Sequence, residues 1–134
     1  MTSVDRVQRL LDLPLHRWLG LELADPGDPR AGAVLDVGDL CLGGAGLLHC
    51  GIVTAMLDVA ADLRLLPELA EGEEAITHDA SVSQLRSIRP GERLLLRADL
   101  LSKDSRRAYL RSSATVGGEA VALGQATKSL LRVT

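Results

Sequence analysis

The chain has 134 residues, the size of one domain, so residues 1–134 are read as a single unit. It is 46% hydrophobic but holds one Trp, one Tyr and no Phe, so its core must be aliphatic. A net charge of −3, with no basic block and no basic–aromatic interleaving, argues against nucleic acid as the main partner. No apolar run approaches the roughly 20 residues that a bilayer span needs, and the segment MTSVDRVQRLLDLPLHRW lacks a signal-peptide apolar core.

In chain order, Val4, Val7, Leu10 and Leu11 recur at helical spacing, which predicts an amphipathic helix over 4–12 that Pro14 stops. LHRWLGLEL reads as a short helical turn entering a strand near 21–24, and DPGDPR (25–30) as a turn. AGAVLDV (31–37) is a strand. GDLCLGGAGL (38–47) is too rich in glycine for regular structure, and its backbone can approach a ligand closely. A helix follows from about His49 to Leu66, ended by Pro67, and ELAEGEE (68–74) reads as a solvated loop. The remainder reads as strands: 75–85, then 93–102 after the turn RPGE, 107–116 after the turn KDSR, and 120–133 after GGE. Helix, two strands, buried helix and antiparallel meander describe an α+β fold with one sheet and one central helix.

Cys41 and Cys50 are too few for a disulfide framework and read as free thiols of a reducing cytosol, which makes a cytoplasmic location the expectation. His16, His49 and His78 lie far apart, and no Cys/His cluster has metal-ligand spacing, so no metal and no cofactor are expected.

The central helix carries the chemistry. Within 49–63 the polar side chains are His49, Thr54, Asp58 and Asp62, and a helix this apolar is normally buried. At about 100° per residue, Gly51, Thr54, Asp58 and Asp62 fall in one narrow stripe. Such a stripe can simply be the helix's solvent-facing edge. Alternatively, an ionised carboxylate inside a protein must find donors or face a cavity. Burial and a second carboxylate one turn away both favour the protonated form, so the stripe is a candidate functional site. Before the helix, GGAGLLHCG offers free N–H groups at a helix N-terminus, a natural seat for a carbonyl oxygen or oxyanion. His49/Cys50 and Asp58 are about 12–14 Å apart along the helix at roughly 1.5 Å per residue. One small reacting group cannot touch both ends of one helix. If the two act together, they do so across a symmetric dimer with antiparallel helices.

LHCGIVTAMLDVAAD resembles the His–Gly–Gly signature of the PaaI-like acyl-CoA thioesterases of the hotdog fold, in which the catalytic acid follows the His by nine residues. His49, Gly51 and Asp58 match it, while LGLEL, AGAVLDV, RPGERL and GQATKSLL stand in the family's order around it. The resemblance implies a curved antiparallel sheet wrapped around one long helix. It also implies a homodimer or homotetramer with active sites at the dimer interface, no nucleic-acid or membrane partner, and hydrolysis of an acyl-CoA thioester. Carried over, the Cys50 backbone N–H polarises the thioester carbonyl, and Asp58 of the other chain activates water as general base or attacks as nucleophile. The chain departs from the pattern at Cys50, where Gly is usual, at Gly43, where relatives carry Asn or Gln, and at Asp62, where Ser or Thr is common. Thr77 matches the family's next-strand hydroxyl by the pattern T-x-D-x-S-V; counting back from Pro90 puts Ala80 there instead.

Neighbouring residues on a helix diverge, so His49 is a poor base for Cys50 and reads better as a cap of the glycine loop. His78 reads as a strand surface residue. Among Arg86, Arg89, Arg106 and Arg107, the pair Arg106 and Arg107 on the KDSRR turn is the first choice for the phosphates of CoA, although a solvated face explains each arginine singly. Two further functions stay open: a hydratase or dehydratase of acyl thioesters, and a non-catalytic acyl-CoA-binding or regulatory dimer.

Overall fold

A computed structural model describes residues 2–133. Helix α1 (Ser3–Leu11) opens with a reciprocal cap: the Asp5 N–H donates to Thr2 Oγ1 and the Asp5 carboxylate accepts from the Thr2 N–H. It ends at Leu11 with Asp12 as its C-cap, and Leu13, the residue before Pro14, has left the helical conformation with ψ 136°, as a following proline requires. Pro14 also begins a second helix, α2 (Pro14–Leu19), where its missing N–H costs nothing because first-turn donors have no helical acceptor. Strands β1 (Glu22–Leu23) and β2 (Ala33–Asp36) follow, then the glycine-rich loop, α3 (Cys50–Leu65), and β3 (Glu73–Gln84), β4 (Arg93–Lys103), β5 (Arg107–Val116) and β6 (Glu119–Arg132).

The six strands form one antiparallel sheet in the order β1-β2-β4-β5-β6-β3. β4, β5 and β6 are the meander expected from the sequence. β3 arrives from the end of α3 and pairs with β6 over most of its length, which makes it a long edge strand. The sheet curves around α3, whose Val53, Met56, Leu57, Ala60 and Leu63 pack on the inward Leu35, Leu94, Leu96, Ala114 and Ala122. At about 0.8 kcal/mol per buried methylene, this aliphatic layer is the main stabilising term. Gly124 sits under the helix, where an added Cβ would lie 2.7 Å from Ser112 Oγ and 3.1 Å from Leu57 Cδ1. The expected hotdog architecture is therefore the architecture found.

The segment 68–74 departs from its expected solvation. Leu69 is buried, and so is Glu73, the first residue of β3. Glu73 Oε1 accepts the Ala70 N–H at 3.0 Å and faces the Lys103 ammonium at 3.6 Å. The Ala70 bond comes first among the causes that hold the Glu73 carboxyl below its usual value. The buried Arg6 of α1 spends its guanidinium on the same turn, donating to the carbonyls of Leu69 (3.1 Å), Ala70 (2.7 Å) and Glu73 (3.0 Å). These acceptors lock the N-terminal helix against the start of β3, where buried carbonyls would otherwise lack partners.

Candidate active site

The loop before α3 is closed by its own backbone. The Gly43 N–H donates to the Leu47 carbonyl (2.8 Å), that of Leu48 to Ile88 (2.8 Å), and that of His49 to Cys41 (2.8 Å). His49 is the N-cap: its Nδ1 accepts the Gly51 N–H at 2.9 Å. The capping role expected of His49 is thus the one observed, and Gly51 has its amide occupied by that ring. A Cβ on Gly51 would stand 3.0 Å from the imidazole, so glycine gives the cap its room. The Cys50 N–H, first of the helix, has no acceptor among the described residues, and the Cys50 side chain is exposed. Gly43 lies in ordinary contact distance of the His49 ring, at 3.7 Å from a built Cβ.

Two turns along the helix, Asp58 and Asp62 meet Lys128 of β6. Lys128 has no exposed surface, and its Nζ lies 2.6 Å from Asp58 Oδ1, 2.7 Å from Thr77 Oγ1 and 2.8 Å from Asp62 Oδ1. An ammonium has three protons, so each finds one acceptor. Thr77 Oγ1 accepts from the lysine and donates its single proton to Asp58, at 2.9 Å from both carboxylate oxygens. The Asp58 side chain keeps 29% of its surface and that of Asp62 22%. The polar stripe of α3 is therefore real, but it is partly sealed by a cation on the facing strand. The Asp62 carboxyl is pushed up: its burial outweighs the opposing pull of Lys128 and is reinforced by the charge of Asp58.

Thr77 is brought to Asp58, whereas Ala80 pairs with Ala126 further along the edge. A bulge between Thr77 and Asp79 adds the exposed His78 to the edge strand and breaks its alternation there. Lys128 is the residue that sequence reasoning missed. Its signal was phase: Ala122, Gly124, Ala126, Lys128 and Leu130 alternate along β6 and all are buried.

The arginines are not gathered at Asp58. Arg107 pairs with Ser129, out of phase with the inward pair Ala108 and Lys128, so it lies on the sheet face away from α3. Arg106 is exposed on the same turn, its N–H accepted by Asp104 at 2.7 Å. Arg86 is held by Glu92 (2.8 Å) and Glu119 (3.0 Å) as part of the turn before β4. A cavity of about 180 Å³ lies between α1, α3 and the start of β3, lined by Leu10, Leu13, Leu66 and Ala75, with Arg6, Arg9, Asp62 and Glu74 as its polar groups. Among the described residues no group of three His, Cys, Asp or Glu side chains could hold a metal ion, and no helix is long and apolar enough to cross a membrane.

No protein-family model matches the sequence, and no curated protein is similar to it. Solved structures are similar in fold. A thioesterase from Haemophilus influenzae superposes with a TM-score of 0.84 at 18% identity, over 99% of this chain and 93% of that one. The PaaI protein of the E. coli phenylacetic acid degradation operon gives 0.84 at 15% identity, over 98% and 96%. A Bacillus halodurans protein solved with CoA gives 0.80 at 19%, over 96% and 88%. At these identities the likeness establishes the hotdog fold.

Proposed function

We propose that the chain is an acyl-CoA thioesterase that works as a homodimer or a dimer of dimers. The observation that carries the reading is the Asp58 carboxylate. It is partly exposed, its Oδ1 is engaged by Lys128 and Thr77, and its Oδ2 takes only the Thr77 hydroxyl. A carboxylate so held can accept a proton from water or attack a carbonyl carbon. Proteins of the same fold that are named thioesterase or PaaI, and one solved with CoA, support the choice of substrate class.

In this reading the thioester carbonyl receives the free Cys50 N–H at the start of α3, whose dipole favours the developing negative charge. His49 orients that amide by capping the helix. Asp58 Oδ2 takes a proton from the attacking water, the carbon–sulfur bond breaks, and the proton passes to the leaving CoA thiolate, giving free acid and CoA. Alternatively, Asp58 attacks the carbonyl carbon and expels CoA as its thiolate, and water then cleaves the resulting mixed anhydride, freeing the acid and Asp58 and releasing the proton that the thiolate takes up. Eight residues of helix separate Cys50 from Asp58 by about 12 Å, so the amide and the acid at one thioester come from different chains. The long free edge of β3, which carries Thr77 beside Asp58, supports pairing with a second copy, since an open strand edge presents unpaired backbone groups. The cavity beside Asp62 is of a size for a small or medium acyl or aryl group. Arg106, on an exposed turn, and Arg107 are the side chains proposed for the CoA phosphates.

The test is CoA release from a panel of aliphatic and aromatic acyl-CoAs. Wild type turns over at least one class, and Asp58→Asn lowers kcat by about 100-fold or more. A second reading, an acyl-CoA-binding dimer without turnover, is favoured by Gly43, which supplies no side-chain amide. Tight binding with no CoA release would establish it, whereas new enoyl absorbance would indicate hydratase chemistry.

A further inference from the structure

We propose that Lys128 is a positioning residue for the Asp58 carboxylate, with Asp62 as the anchor that holds the lysine in place. The inference rests on the thioesterase reading and adds to it a group which that reading does not require. Lys128 is wholly buried, and its three donor directions are all used, on Asp58, Thr77 and Asp62. The lysine and threonine together fix Asp58 Oδ1 inward and leave Oδ2 as the oxygen with spare capacity. Asp62 stands on the far side of the ammonium, at 2.8 Å, so the flexible four-carbon stem of Lys128 cannot relax away from Asp58.

The charges of Lys128 and Asp62 are complementary. A second carboxylate in the stripe would be an uncompensated charge without Lys128, and a buried ammonium would be held by one carboxylate alone without Asp62. A Ser or Thr at 62 could accept a hydrogen bond but could not share the balancing of a buried cation. The pair therefore builds a carboxylate support from β6 that operates through Asp58 rather than on substrate.

Two variants separate positioning from mere structure. Lys128→Met keeps the bulk and leaves two carboxylates facing no cation, so the melting temperature falls. The double variant Asp62→Asn/Lys128→Met removes the orphaned charge and recovers most of that loss. Activity is expected to behave otherwise: kcat is down about 100-fold in both variants with KM nearly unchanged, because Asp58 lacks its inward donor in both. Recovery of kcat together with stability in the double variant would overturn the proposal. So would a crystal structure of the double variant in which Asp58 keeps its orientation against Thr77. If wild type hydrolyses no acyl-CoA, the thioesterase reading fails by itself, while the crystallographic comparison still decides whether Lys128 sets the carboxylate.

Discussion

Asp62 shows how a single buried carboxyl couples charge to stability. Its proton is held more tightly in the folded chain, first because burial disfavours the anion and only secondarily because Asp58 repels it, with Lys128 opposing both. Between the ordinary aspartate value of 3.8 and the raised folded value, the native state binds more protons than the unfolded one. Stability from this group is therefore complete below 3.8 and is lost as pH rises through the folded value. Asp62→Asn lacks that titration. Thermal melts of the two proteins, followed from acid to neutral pH, should show the variant gaining on wild type as pH rises. The opposite trend would mean that the Lys128 contact outweighs desolvation. At this scale the sequence was legible where geometry is local. The nine-residue spacing from His49 to Asp58 and the helical stripe containing Asp62 follow from one element's own period. Lys128 was not, because alternation in β6 assigns a face to each residue but cannot reveal that a charge on the inner face has partners waiting on α3. Which residue of β3 meets Asp58 was likewise not legible, since the bulge after Thr77 breaks the strand's alternation without leaving a mark in composition.

The pairing of helix and sheet depends on how closely α3 can approach β6. Gly124 permits that approach, with the positions a side chain would occupy already taken by Ser112 and Leu57. Gly124→Val should destabilise the fold by about 1–3 kcal/mol, as overpacking of a filled core does. Denaturant unfolding measures the loss, and adding Ser112→Ala, which clears the nearest atom, should return part of it. An unchanged midpoint in Gly124→Val would show that the sheet flexes freely here. Boundaries were readable to within two residues for α3 and all six strands, because Pro, Gly and the polar turns RPGE, KDSR and GGE punctuate strong apolar periods. The failure falls where tertiary contacts override local signals. The acidic segment 68–74 reads as solvent-facing, yet Arg6 and Lys103, from α1 and β4, draw part of it inward.

The proposed mechanism makes the dimer the catalytic unit, and that can be tested without solving one. Cys50 is the first residue of α3, a position where proline is well tolerated because its N–H would lack a helical acceptor in any case. The residue before it, His49, has φ −65° and ψ 128°, an extended conformation that a following proline accepts. Cys50→Pro therefore deletes the proposed carbonyl donor while leaving the helix able to form. It should be folded and inactive, as should Asp58→Asn. If each site draws its amide from one chain and its acid from the other, a mixed dimer of the two variants has one site with both lesions and one with neither. Random association of equal amounts makes half the dimers mixed, so activity should return to about one quarter of wild type when the two are co-refolded. If the amide and acid of each site belonged to the same chain, every site in the mixture would carry a lesion and no activity would return. The composite site is thus open to a measurement in which the restored activity stands well above the small residual activity of either parent variant.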